Sequence, residues 1–316
     1  MQWLRKLWSR LTGPAKTLEC PPWFKPDGYR DFVGVVEAEL KQRGLAFEMR
    51  DGSVLVKGLP AGQPCELGLT NVSQACAQAP RGEWPVLVRR HFDIVLKGAP
   101  DLGPIDRFEN AEKVLKVRLH PDSMLGHNTP LVHRKVATGL IATLVYDLPD
   151  TVTTVHPDHM KAWPVSVDEA FAIGLAHVRD EVKVERSAVP LKDDTALTVF
   201  SSGSFFAASR ALMLADTFGA ESVHGFLVGV PHRHMVVAHP VTGVDVVVAV
   251  NAMVPALISL HQQGPGSITP NLYWVRAQHW VHLPAKVVDK ALQVRPPEEF
   301  VVLMNRLADP PRQRLD

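Results

Sequence analysis

Ser201, Ser202 and Ser204 surround Gly203, between one apolar run and another that carries Phe205, Phe206, Leu212 and Met213. A strand before and a helix after would set these hydroxyls at a helix start, where unpaired backbone N–H groups attract negative charge. Two chemistries suit that position. A serine could act as nucleophile, with His232 as its base and Asp216 or Asp245 orienting the base. The G-x-S-x-G signature of such a turn is absent, however. Alternatively the turn holds a small anion, or simply caps the helix. Gly264-Pro265-Gly266-Ser267 is a second candidate anion turn, although no Gly-Lys-Ser/Thr follows it as in a P-loop.

Three of the 14 histidines, His232, His234 and His239, lie within eight residues of one another. His232 and His234 are two apart, so a regular strand would turn both to one side. Neutral imidazoles so placed could hold zinc, with His224 or a carboxylate completing the set. Pro231 spoils that regularity, no H-E-x-x-H occurs, and no cysteine is near. The expectation is turn histidines, with no metal and no cofactor. His156-Pro157-Asp158-His159 and His279-Trp280-Val281-His282 read the same way.

Composition bounds the function classes. The chain has 316 residues, 46% of them hydrophobic and 21% charged, which is a globular composition with length for one or two domains. Its net charge of +1 supplies no bulk field for nucleic acid, and 7% aromatics offer few stacking platforms. Cys20, Cys65 and Cys76 form no disulfide framework and fit a reducing cytoplasm. No uninterrupted apolar stretch reaches the roughly 18 to 20 residues of a membrane span; Val244 to Leu260 comes nearest, broken by Asp245, Asn251 and Pro255.

The elements that must position these residues can be read in order. Trp3, Leu4, Leu7, Trp8 and Leu11 line one face of a basic amphipathic helix, followed by a Pro-rich linker to residue 26. Asp27 is placed to cap a helix that ends at Gly44. A hairpin turns at Asp51-Gly52, a third strand covers Cys65 to Leu69, a short helix starts at Asn71 or Ser73, and Trp84 to Lys97 is helical. Residues 27–97 are thus a small helix–three-strand–helix domain. A Gly- and Pro-rich boundary at Gly98 to Pro104 precedes a larger domain over 105–308, and 309–316 form a tail.

In the larger domain Leu115, Val117 and Leu119 alternate with Lys116 and Arg118, which predicts a half-exposed strand. Strands follow at 139–146 and 151–155. Ser166-Val167-Asp168-Glu169 is a capping box for a helix with Ala170, Phe171, Gly174 and Val178 on one face. Strands at 182–187, 195–200, 225–230 and 234–238 lead to a Val-rich run from Asp245. Propensity favours a strand there, whereas length and residues 252–260 favour a buried helix. A strand at 271–276 and a helix at 298–307 close the chain. The fold class expected is α+β, with a larger mixed or antiparallel sheet and packed helices.

Short motifs within this order resemble the YtpQ-like family of bacterial proteins of unknown function. They are Trp84-Pro85-Val86 with Arg89, Ala208-Ser209-Arg210, and Val230-Pro231-His232 followed by an apolar return strand. The similarity runs from about Gly44 to Arg276, and the chain departs from it at Arg233-His234 and in the N-terminal helix and linker. It implies a cytoplasmic bacterial α+β protein and supplies no activity.

Two functional expectations follow. The first is a non-enzymatic interaction or adaptor module that docks on a protein partner, or on the inner membrane surface, through Trp3, Leu4, Leu7, Trp8 and Leu11. The second is a small-ligand or anion site, or a hydrolase, built from Ser202, Ser204, Arg210, His232 and His234 and reaching to His239. Nucleic acid is not an expected partner. The sequence by itself does not commit the chain to catalysis.

Overall fold

The computed structural model describes residues 18–57, 65–96, 107–127, 130–148, 151–192, 194–218, 222–289 and 291–308. The expected docking helix at residues 3–11, the boundary at 98–104 and the tail lie outside these. The chain divides into two compact units, the first ending at Val95 and the second beginning at Leu96. Both combine helices with antiparallel sheets, so the fold is α+β.

The first unit opens with helix α1 (Pro26–Gln42), which buries Tyr29, Phe32, Val36 and Leu40. Its N-cap is Lys25 with Pro26 in the first turn, so Asp27 is a first-turn acid rather than the cap. Gly44 adopts the left-handed conformation just past its end. Strands β1 (Ala46–Arg50) and β2 (Ser53–Lys57) pair across Asp51-Gly52 with Arg50 opposite Ser53, and β3 (Cys65–Gly68) adds to β2. Helices α2 (Thr70–Gln78) and α3 (Trp84–Val95) complete the unit. The buried Glu39 carboxylate of α1 meets Arg43 at 2.7 Å and Arg89 of α3 at 3.5 Å, which ties the two helices together.

The second unit begins with a short helix, α4 (Phe108–Ala111), and strand β4 (Leu115–Pro121). Strands β5 (His133–Ala137), β6 (Leu140–Leu148) and β7 (Thr151–Thr154) follow; β4 lies along one edge of β6, and β5 and β7 share the other. Helices α5 (Pro157–Ala162) and α6 (Val167–Glu181) come next, and α6 carries the expected Ser166–Glu169 capping box. Gly174 of α6 sits where a Cβ would lie 3.0 Å from the Lys116 backbone, so α6 approaches β4 closely.

The central sheet has six strands in the order β13-β12-β10-β11-β9-β8. These are β8 (Glu185–Pro190), β9 (Ala196–Ser201), β10 (Phe226–Gly229), β11 (Met235–Pro240), β12 (Leu272–Arg276) and β13 (His279–Leu283). Between β9 and β10 the chain makes a 3-10 run, Ala207–Met213, and a short helix, α7 (Leu214–Phe218), in place of the single α-helix expected there. The Val-rich run is helical: α8 spans Val246–Gln263. Val246, Ala249, Val250, Met253 and Leu257 recur at helical spacing and pack with Leu227, Val237 and Trp274 of the central sheet. Tertiary packing therefore overrides the β-propensity of the valines. By length and composition α8 could cross a membrane, but that packed face belongs to the core. A hairpin of β14 (Ala285–Val288) and β15 (Ala291–Val294) and helix α9 (Glu298–Ala308) end the described chain.

On its other face, the central sheet contributes Phe200, Phe226, Val228, Val236, Ala238 and Tyr273 to a core shared with Leu115, Val117, Leu119, Leu144 and Tyr146 of the smaller sheet. The central sheet is thus apolar on both faces, as the continuous apolar character of 225–241 requires.

Candidate functional site

The alternation in β4 puts Lys116, Arg118 and His120 on the face opposite Leu115, Val117 and Leu119. That face is not open to water as a half-exposed strand would be. The chain following β9 covers it: the Lys116 ammonium stands 5.2 Å from the Phe206 ring and the Arg118 guanidinium 5.9 Å from the Phe205 ring.

Lys116 and Arg118 meet opposite fates there. The Lys116 side chain, 11% exposed, has its ammonium 2.6 Å from Asp147 and 2.8 Å from Glu181. Burial works against its charge, but these two carboxylates raise its pKa above the usual lysine value. Among the described residues, no carboxylate pairs with Arg118. Its Nε is enclosed without a hydrogen-bond partner, although the side chain keeps some accessible surface. Burial and the nearby Arg233 push it down to about 10. His120, next on the same face, has an enclosed Nε2 that is also unpartnered. Burial and Arg118 push it down to about 3.

The turn between β10 and β11 supplies the rest. Arg233 lies 4.2 Å over the Phe205 ring, so one ring serves two guanidiniums. Its Nε donates to His234 Nε2 at 2.9 Å. His234 Nδ1 sits 3.2 Å from the Ser202 carbonyl and 3.1 Å from the Ser204 carbonyl. Two acceptors on Nδ1 and a donor on Nε2 define a neutral ring protonated at Nδ1. Burial and Arg233 lower its pKa accordingly. His232, buried, accepts the His234 backbone N–H on Nδ1. Burial, with His234, Arg233 and His261 of α8 nearby, pushes His232 down to about 4.

This turn is braced from behind. A Cβ on Gly264 would fall 2.6 Å from His232, and one on Gly266 2.6 Å from the Arg233 side chain. Gly266, at φ +73°, also accepts the Arg233 backbone N–H at 3.0 Å. The Gly264-Pro265-Gly266 loop thus acts as a close-fitting support for Arg233, where only glycine fits. The Arg233 carbonyl in turn accepts the Ala208 N–H at 3.0 Å, fixing the start of the 3-10 run.

Ser202, Ser204, His232 and His234 are therefore brought together, with Arg118, Arg233 and Phe205 added, and His120 lies beyond Arg118 on the same face of β4. Arg210 is directed elsewhere: it donates to the Arg179 carbonyl in the last turn of α6 at 2.7 Å. The serine hydroxyls accept Ser204 and Phe206 backbone N–H groups at 3.2 Å, as local turn caps. Among the described residues no hydrogen bond joins the expected serine–His232 pair: His232 Nδ1 accepts the His234 backbone N–H at 3.3 Å, and Asp245, one of its two expected orienters, faces His239 instead at 3.3 Å. Asp216 lines a separate cleft of about 370 Å³ between α7 and the β12–β13 turn, with Met213, Gln278 and Trp280. Among the described residues, no group of three His, Cys, Asp or Glu side chains is arranged to hold a metal ion.

Sequence reasoning missed Arg118 and His120 because alternation marks an outward face without showing what covers it. The covering Phe205-Phe206 pair, placed directly after a polar turn, was the available signal. No protein-family model, no curated protein and no solved structure matches this chain.

Proposed function

We propose that the second unit is a binding module for a small anionic ligand, held non-covalently where Arg118 and His120 of β4 meet Phe205 and Arg233. One observation carries this reading. Two residues apart on one face, Lys116 is matched by two carboxylates, whereas among the described residues none pairs with Arg118 and the charge that acts on it, Arg233, has the same sign. Among the described residues, the charged groups acting on Arg118, His120 and His232 are basic. Half-buried guanidiniums arranged like this are costly until an anion joins them. Arginine forks are also the side chains best shaped for oxyanions.

Ligand-induced stabilisation tests the reading. A panel of small oxyanions is added to the full chain at constant ionic strength and the melting temperature is followed. At least one should raise Tm, since ligand at about 100 times its Kd adds about 2.7 kcal/mol. The same anion should leave Arg118→Gln and Arg233→Gln unshifted. Equal shifts in wild type and both variants would place the binding elsewhere and overturn the proposal.

A further inference from the structure

Resting on that reading, we infer that the ligand group is a tetrahedral dianion, a phosphate monoester, rather than a carboxylate, and that His120 Nε2 is its third contact. The argument is charge matching. Arg118 and Arg233 each bring one positive charge, and no ion pair offsets either among the described residues. The other titratable groups around them are His120 from β4, His232 and His234 from the β10–β11 turn, and His261 from α8, with Lys116 already matched. Burial holds each of these histidines below its usual value, so they add no charge near neutral pH. The site therefore presents two positive charges. A carboxylate would neutralise one of them, whereas a phosphate monoester carries about −1.5 to −2 at pH 7.

Geometry points the same way. The donors come from different chain segments: Arg118 and His120 from β4, and Arg233, whose Nε is already given to His234, from the turn across the Phe205 ring. A flat carboxylate suits one guanidinium fork, side on. A tetrahedral group presents oxygens in three directions and can meet separate donors together. Arg118 Nε and His120 Nε2 are unpartnered but enclosed, so binding requires their side chains to turn toward the ligand, whose oxygens would then satisfy them.

Isothermal titration of the full chain with four probes at constant ionic strength separates the alternatives. Methyl phosphate and sulfate are tetrahedral dianions, dimethyl phosphate is a tetrahedral monoanion, and acetate is a planar one. The expected result is a Kd for both dianions at least about tenfold below that for either monoanion, a gap of roughly 1.4 kcal/mol. Acetate binding as tightly as methyl phosphate would overturn the dianion assignment and leave the anion site standing. No binding by any of the four would overturn the site itself.

The pH dependence supplies a second readout. A phosphate monoester loses its second charge below pH of about 6, whereas sulfate keeps both. The methyl phosphate to sulfate affinity ratio should therefore fall about tenfold between pH 7 and pH 5. A constant ratio would show that the second charge is not read. Arg118→Gln and Arg233→Gln should each erase the dianion preference. His120→Gln should weaken methyl phosphate at least about fivefold at pH 7 while far-UV circular dichroism stays unchanged; unaltered affinity would remove His120 from the contact set.

Discussion

At the scale of single residues, Arg118 and His120 are placed against their own stability. A half-buried cation with a like-charged neighbour destabilises the empty protein, so its replacement by an apolar side chain of similar length should relieve that cost. Arg118→Met is expected to raise the denaturant midpoint of the ligand-free chain by an amount equivalent to about 1 kcal/mol, while abolishing anion binding. A loss of about 2 kcal/mol instead would make Arg118 a structural residue. The histidines make a related prediction with a definite sign. His120 and His232 are held near 3 and 4 in the folded chain, against about 6.5 when unfolded. Between those values the unfolded state binds more protons, so stability is full above pH of about 6.5 and falls as the pH is lowered toward 4. Each such histidine contributes a slope of up to about 1.4 kcal/mol per pH unit. Urea midpoints at pH 7.5, 6.5 and 5.5 lie above most carboxylate titrations. They should decline in the wild type and decline less in His120→Asn; parallel slopes would show that His120 is not the group taking up the proton.

At the scale of elements, what the sequence reveals depends on where each element's information lies. The Asp51-Gly52 hairpin and the Ser166–Glu169 capping box are legible because the signal is local: a turn that needs a left-handed glycine, and a hydroxyl three residues from its carboxylate partner. The helix α8 was ambiguous because Val246–Val250 suits a strand by propensity, and only the fit of its Ala249–Met253–Leu257 stripe on the central sheet decides the matter. The hairpin β14–β15 has strands too short for a period to show, and the 3-10 run, expected as one α-helix, has too few turns for its spacing to separate the two helix types. The candidate site was half legible for the same reason. Polar turns announce Ser202, Ser204, His232 and His234, whereas the covering of β4 that makes Arg118 chemically notable is a tertiary fact. Close packing of α8 can be tested directly. A Cβ on Gly229 of β10 would lie 2.2 Å from a methyl of Leu257, whose side chain is fully buried and has no room to yield. Gly229→Ala should therefore cost about 1 to 3 kcal/mol by chemical denaturation. A neutral result would mean that α8 can lift from the sheet without penalty.

At the scale of the whole molecule, the charge of the chain hides the site. With 34 basic and 33 acidic residues, nothing in the total suggests an anion ligand. The local excess arises because carboxylates gather at Lys116 while, among the described residues, none pairs with Arg118 two positions away. All the groups involved come from one compact unit: β4, the turn after β9, the β10–β11 turn and the end of α8 follow Leu96, and the first unit ends at Val95. That unit has apolar cores on both faces of its central sheet and enough length to bury most of its surface. A fragment spanning residues 107–308 is therefore expected to fold cooperatively and to bind methyl phosphate with a Kd within about threefold of the full chain. Its thermal transition should shift with ligand as the full chain's does, because the linkage involves only groups it retains. A fragment that folds but does not bind would show that residues before 107 complete the site. A fragment that fails to fold, alongside a full chain melting in one transition, would show that the two units are energetically one.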